Sequence, residues 1–396
     1  MAERPTPIFL FALVTVTAIG PLSMQIFLPA LPIIQADFAV SPALAHLTLS
    51  ISMISIAVST LIYGPLSDRF GRRPVLIAGL LIFLIGSLLC MLAPNVWVLI
   101  IGRVIQAGGG SCGLVLARAI VRDVYAQEKV ASVIAYLTIA MVVAPMVAPA
   151  IGGILTDWQS WRASFGFVGL AGIVVLVLVF LRLAETNSRP ASHPGVSGML
   201  EGFGILLRSP VFCGYAFSGA FGLAGFFSFV SGAPYIMVNV MGRPVTEYGL
   251  YFAMLSLSFM AGNFVSARLS ERLGTDRMIL LGNLTALAGI TVEALLMING
   301  IWVPIAIFAP TAVIVFGNGI ALPNLQAGAL GVRPRSAGTA SGLSGFLQMA
   351  IAAAFAQGVG SLTVDTPYPM IAFMAVAICL ALVCSSLGAR LARAAA

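Results

Sequence analysis

Apolar residues run through this chain in long, nearly unbroken stretches, and polar residues gather in the short gaps between them. The stretches predict helices over residues 7–28, 43–66, 75–93, 96–118, 131–155, 161–182, 208–232, 245–267, 277–298, 302–325, 338–362 and 367–389. Each is near the length of about 20 residues that crosses a hydrocarbon layer roughly 30 Å thick. Inside that layer a backbone must satisfy its own hydrogen bonds, which favours helices. The pattern therefore predicts an all-α membrane protein with twelve spans. The opening MAERPTP leads directly into the first stretch and is read as the start of the first span, not as a cleaved leader.

Residues 183–207 interrupt this rhythm. Pro, Ser and Gly crowd their first half, a linker composition, and the second half predicts a short amphipathic helix lying on the membrane surface. The chain thus divides into a six-helix bundle over 1–182, a linker over 183–207 and a second six-helix bundle over 208–396. The halves also echo each other. Leu66-Ser67-Asp68-Arg69-Phe70-Gly71 follows the second span, and Leu269-Ser270-Glu271-Arg272-Leu273-Gly274 follows the eighth, at the same place in each half. Such parallel repeats are a transporter arrangement.

Composition sharpens the orientation. The chain is 60% hydrophobic and 8% charged, against roughly 25% charged in ordinary soluble domains. Seventeen of the 20 basic residues fall in loops on one side: Arg4; Arg69, Arg72 and Arg73; Arg118, Arg122 and Lys129; Arg182, Arg189 and Arg208; Arg268, Arg272 and Arg277; Arg333 and Arg335; Arg390 and Arg393. Basic loops stay in the cytoplasm, so both termini are expected inside. The net charge of +7 reflects this bias, and no basic tail or aromatic-basic stripe suits a nucleic acid. The five cysteines lie in apolar stretches without a CxxC pair or a histidine cluster and read as packing residues, with no metal site. His46 and His193 fall at an outer helix entrance and in the linker. No HExxH, P-loop or nucleophile elbow is present, which argues against an enzyme and against ATP as the driving force. No cofactor is implied.

The loop after the second span reads Gly64-Pro65-Leu66-Ser67-Asp68-Arg69-Phe70-Gly71-Arg72-Arg73-Pro74. It resembles the signature loop of the major facilitator superfamily, and the resemblance implies the major facilitator fold, two six-helix bundles alternately opening to either side. Gly64 and Gly71 suit close approach or a tight turn. Asp68 suits a helix cap and a contact to Arg72, and Asp123 is a further partner. In that family such contacts, here Gly64, Asp68, Arg69, Gly71, Arg72, Arg73 and Asp123, latch the halves at the inner face; the plainer reading is that the arginines only enforce topology. Arg103-Val104-Ile105-Gln106-Ala107-Gly108-Gly109-Gly110 in the fourth span resembles the family's second signature. Arg103 reads either as a cavity-facing cation for proton coupling or substrate binding, or as a buried arginine bonded to carbonyls. Pro145, Pro149, Gly152 and Gly153 in the fifth span resemble the antiporter signature, with Ala148 in place of its first glycine; generic tight packing is the competing reading. Leu28-Pro29-Ala30-Leu31-Pro32, Arg122-Asp123-Val124-Tyr125 and Phe229-Val230-Ser231-Gly232-Ala233-Pro234-Tyr235 are similar to the bicyclomycin/chloramphenicol-resistance (Bcr/CflA) branch of drug exporters.

One departure changes the expected chemistry. That branch usually carries an acid in the first span a few positions before Leu-Pro, and here Gln25 stands in its place. A carboxyl can take up and release a proton; an amide cannot. Glu293 in the ninth span is the remaining candidate proton carrier, with snorkelling to the surface as the alternative. Asp37 and Asp365 read as loop residues. Phe217, Phe221, Phe226, Phe227, Phe229 and Tyr235 of the seventh span offer aromatic surface to lipophilic cargo, and Asn318 and Gln348 add polar contacts, although such rings often only pack helices. The expected function is export of small lipophilic drugs from the bacterial cytoplasm across the inner membrane by proton antiport. The alternative is a metabolite exporter or facilitator without proton coupling, which Gln25 favours. The partners implied are a small-molecule substrate, protons and the lipid bilayer, and a monomer suffices.

Overall fold

The computed structural model describes residues 7–187, 196–333, 337–362 and 366–395. Arg4, Arg189, His193, Arg335 and Asp365 lie outside the described residues. The helices are α1 (Pro7–Gln25), α2 (Leu31–Phe38), α3 (Pro42–Phe70), α4 (Arg72–Met91), α5 (Val96–Gly110), α6 (Cys112–Val124), α7 (Gln127–Trp158), α8 (Trp161–Arg182), α9 (Val196–Leu207), α10 (Pro210–Tyr235), α11 (Val245–Leu273), α12 (Thr275–Ile298), α13 (Pro304–Gly331), α14 (Ala337–Leu362) and α15 (Tyr368–Ala395). Among the described residues, 12 helical stretches are long and apolar enough to cross a membrane. The twelve-span, all-helical expectation holds. Residues 196–207 form a short helix, α9, and its Leu206 is buried in one apolar cluster with Phe212 and Tyr215.

Two spans are built from paired helices. The first runs past its expected end at residue 28, because Pro29 and Pro32 sit in the first turns of a 3₁₀ segment (Leu28–Ala30) and of α2, where a missing N–H costs nothing. The fourth breaks at Ser111, directly after three glycines, into α5 and α6. Pro145 and Pro149 both lie inside the continuous α7, a placement neighbouring helices make tolerable in membranes. Asp37, expected in a loop, lies in the last turn of α2; its carboxylate takes the Trp161 indole N–H and the Arg162 guanidinium, each at 3.0 Å.

The hexapeptide echo has a structural counterpart. Gly71 between α3 and α4 has φ 97° and ψ 153°; Gly274 between α11 and α12 has φ 81° and ψ 156°. Both turns need a positive φ that glycine adopts without strain. Gly64, by contrast, lies within α3, and among the described residues nothing approaches within 4 Å of where its Cβ would stand, so neither a tight turn nor a described close approach explains it.

The chain forms two compact units, Met1–Val40 with Leu47–His193, and Ser41–His46 with Pro194–Ala396. In the first, Leu13, Val16, Leu76, Leu80, Phe83 and Leu116 are wholly buried in one apolar cluster. In the second, Phe212, Tyr215, Ile279, Leu325 and Leu343 gather at one end. Lipid gives helices no hydrophobic reason to associate, so packing depends on close backbone approach at small residues. A Cβ on Gly109 would overlap the backbone of Gly79 and Phe83, one on Gly86 the backbone of Gln106, and one on Gly152 the carbonyl oxygen of Ile26. In the second unit Gly282 and Gly317 meet in the same way, as do Gly262 and the Phe316 carbonyl.

Gly109→Leu is expected to cost at least the roughly 1–3 kcal/mol typical of overpacking. Thermal unfolding of the purified protein in detergent should show a drop of several degrees, while Gly64→Ala leaves the midpoint unchanged.

Candidate functional site

At one end of the first unit, charges concentrate around the Gly71 turn. Arg72 opens α4 and pairs with Asp68, one turn earlier in the chain on α3. Its Nε donates to Asp123 Oδ2 at 3.0 Å at the end of α6, and Nη1 donates to Ser67 Oγ at 2.6 Å. One guanidinium thereby ties α3, α4 and α6, using the forked geometry that lysine lacks. Arg73 Nη2 donates to the Phe180 carbonyl at 2.9 Å, with its guanidinium 5.5 Å from the Phe180 ring. Arg69 is exposed and lies over the Phe70 ring. The structure thus gathers Asp68, Arg72 and Asp123, and holds Arg73 against α8.

Sequence reasoning missed the residue that completes this cluster. Glu185, just past α8, accepts the backbone N–H groups of Arg72 at 2.9 Å and Arg73 at 3.1 Å. It also accepts the N–H of Thr186 and of Asn187. Asn187 Nδ2 donates to the Asp68 carbonyl at 2.9 Å. The first N–H groups of a helix lack intrahelical partners, and negative charge is favoured there. Burial raises the Glu185 carboxyl's pKa, but the four backbone N–H donors outweigh it and hold the group below its ordinary value. An acid directly after a span was the visible signal. Its partner, 113 residues earlier, was not visible.

Deeper in the first unit, Arg103 is 1% exposed. Its Nη1 donates to the Ser23 carbonyl at 3.1 Å and to Gln106 Oε1 at 2.6 Å, and Gln106 Nε2 passes the network to Ser87 Oγ at 2.9 Å. The guanidinium carbon stands 4.0 Å from the centre of the Phe27 ring and 5.9 Å from that of Phe165. No described carboxylate lies within ion-pair distance, and no described acceptor reaches its Nε or Nη2. A cation without a counter-ion is held by a carbonyl, an amide and aromatic faces. Gln25, also buried, sits in α1 between the Ser23 carbonyl and the Phe27 ring that touch Arg103; no described donor reaches its Oε1. Pro149, Gly152 and Gly153 of α7 are buried and Pro145 is half-buried.

In the second unit the polar candidates line α10. Asn318 Nδ2 donates to the Gly222 carbonyl at 3.3 Å, and a Cβ on Gly219 would stand 3.2 Å from Gln348 Nε2. Phe217, Phe221, Phe355 and Phe373 form a chain of ring contacts with centroids 5.7–6.5 Å apart. The other aromatic candidates go elsewhere. Phe226 meets Phe227 and, 6.2 Å away, Phe252 of α11. Phe229 is buried edge-on against Phe308. Tyr235 is buried and stacked 4.7 Å from the ring of His46, whose Nδ1 is 2.7 Å from Ser231 Oγ. Asn318 and Gln348 thus meet α10 at Gly222 and Gly219, Phe217 and Phe221 join a separate ring chain, and Phe226 and Tyr235 belong to further packing groups.

Glu293 of α12 is wholly buried. The alternative of snorkelling to the surface fails: Thr311 Oγ1 of α13 donates to its Oε2 at 3.0 Å, and no described donor reaches Oε1. Among the described residues it is the one fully buried carboxyl group. No group of three or more metal-ligating side chains occurs among the described residues.

Comparison with known proteins agrees with this architecture. The Major Facilitator Superfamily profile matches residues 13–357. YdgK, an MFS-type transporter of Bacillus subtilis (strain 168), is 31% identical over 378 residues, 94% of this chain and 92% of that protein. A bicyclomycin resistance protein homolog of Haemophilus influenzae is 28% identical over 93% of each chain. Among solved structures, a bacterial homolog of the human lysosomal transporter Spinster, inward-facing and unoccupied, superposes with a TM-score of 0.79 over 98% of each chain at 16% identity, a likeness of fold.

Because Glu185 is held below its ordinary pKa of 4.5, the stability it supplies is present above that pH and fades as acid protonates it. Glu185→Gln should lower the melting midpoint at pH 7 by the few degrees that about 1 kcal/mol of lost capping represents. The gap from wild type should close as pH falls below 4.5; a pH-independent gap would contradict the ionic cap.

Proposed function

Because the chain belongs to the Major Facilitator Superfamily, whose members move small molecules across membranes, we propose that it exports small lipophilic drugs from the bacterial cytoplasm by proton antiport with alternating access. It is a multi-pass transporter and not an enzyme. Its topology, on this proposal, puts both termini on the cytoplasmic side of the inner membrane, with bundles over 1–182 and 208–396 joined by a cytoplasmic linker, working as a monomer. The relative named for bicyclomycin resistance supports a drug as cargo.

The observation that carries the coupling is Glu293. An ionisable group buried in a span is expensive and calls for a function. Its carboxyl has one oxygen held by Thr311 and the other without a described donor, so it has an acceptor for a proton and a neighbour that fixes its orientation. With Gln25 unable to titrate, Glu293 is the proton carrier on this proposal, and the pair Asn318 and Gln348 with Phe217 and Phe221 contacts the cargo. Arg103 supplies positive character that no first-span acid offsets, so neutral or weakly anionic compounds should be preferred over lipophilic cations. Gln25 also favours the second reading, a facilitator or metabolite exporter without proton coupling.

Antibiotic susceptibility in an efflux-deficient host tests this. Wild type should raise resistance to at least one lipophilic compound, and Glu293→Gln or Arg103→Ala, expressed to equal levels, should return it to that of the empty host. Collapse of the proton gradient should stop uphill efflux; efflux that persists downhill only, unaffected by Glu293→Gln, would favour the facilitator. Gln25→Asp should improve export of lipophilic cations. Equal cation export by wild type and Gln25→Asp would refute the electrostatic preference.

A further inference from the structure

The two Gly turns share a backbone geometry but not a neighbour. At Gly71 the space where a Cβ would stand is taken by the Glu185 carboxylate, which satisfies the start of α4. Among the described residues nothing lies within 4 Å of where a Cβ on Gly274 would stand, so no described side chain takes the place that Glu185 fills at Gly71. Glu185 follows the last span of its unit; in the second unit, residues 366–396, which hold the last span, contain no Asp or Glu and place Arg390 there instead. Where the first unit has a carboxylate, the second has a cavity of about 860 Å³.

Its lining combines Arg277 in the first turn of α12, Arg390 near the end of α15, Thr275, and Asp276. Asp276 is engaged by Tyr215, whose hydroxyl donates to Oδ1 at 2.8 Å. Two guanidinium groups against one occupied carboxylate leave the cavity electropositive, and the opening turn of α12 adds its partial positive charge. Its walls also include Val211, Ile279 and Leu280. The size fits a polar headgroup with its backbone rather than a lone ion. Its place at the ends of the spans Thr275–Ile298 and Tyr368–Leu391 puts it at headgroup depth, where basic pockets between helices take anionic lipids.

We infer that this cavity binds a phosphate-bearing anion, held by Arg277, Arg390 and the start of α12, in the position that Glu185 fills in the first unit. The chemistry is a phosphate mono- or diester, with an anionic phospholipid headgroup or free phosphate as its source. Arginine forks suit phosphate oxygens two at a time. The inference does not depend on the cargo or on proton coupling, because its readout is binding.

The test uses the full chain in detergent micelles and follows the melting midpoint against added phosphatidylglycerol, phosphatidylcholine or inorganic phosphate. Phosphatidylglycerol should stabilise the wild type more than phosphatidylcholine. Arg277→Ala/Arg390→Ala should weaken that response at least tenfold, the scale of one lost charge-assisted bond. Arg268→Ala, a basic residue outside the cavity, should respond as wild type. Stabilisation by inorganic phosphate of equal size would identify free phosphate as the source and still support the site. Ser386→Glu plants a carboxylate in the cavity wall and should suppress the response without removing an arginine. Equal responses to phosphatidylglycerol and to phosphate in wild type, the double variant and Ser386→Glu would overturn the inference.

Discussion

A peptide group in hydrocarbon has no partner except another peptide group, and apolar side chains gain nothing by leaving lipid for protein. Helices in this chain must therefore be held by contacts that water-soluble proteins treat as secondary. Glycines let backbones touch. Gly109 rests on Gly79 and Phe83, Gly152 on Ile26, and Gly282 on Gly317. The signature glycines of the fourth span and the Gly-Gly of the fifth are accounted for by this packing, whatever else they do. The same constraint explains why Pro145 and Pro149 persist inside α7, where fixed neighbours hold the surrounding backbone.

Against that background each buried polar group needs its own solution. Arg103 has a carbonyl, an amide and an aromatic face in place of a counter-ion. Glu293 has a hydroxyl. At the membrane surface, Arg72 can draw on two carboxylates and Glu185 on four amides. The deep sites are sparsely satisfied and the surface cluster more densely so, although Arg73 Nε there has no described partner. Sparse satisfaction is what a group that changes protonation or partner during a cycle requires, and dense satisfaction is what a fixed structural joint requires.

The spans were legible because hydropathy over about 20 residues is a strong signal, and the repeat was legible because two hexapeptides match. The structure adds that both matches end in a glycine with positive φ. Asp68, Arg72 and Asp123 could be grouped because two of them flank the Gly71 turn four residues apart and the third ends a neighbouring span. Glu185 could not, since nothing local marks an acid as the cap of a helix more than 100 residues away. The aromatic residues of α10 show another limit. Spacing along one helix gives each ring a direction, but not the neighbour in that direction: Phe221 meets Phe355, Phe226 meets Phe252, and Tyr235 meets His46. Phe27, which lies within the first predicted span, is the ring beneath Arg103.

The contact of Gly152 with the Ile26 carbonyl carries a mechanical consequence. Two backbones in direct touch have no side chain between them to repack, so α7 cannot slide along the end of α1 without breaking van der Waals contact or colliding. Residue 26 is also flanked by Gln25 and by Phe27, the ring under the guanidinium. Any displacement of the fifth span would therefore press first on residue 26, the immediate chain neighbour of the ring beneath Arg103.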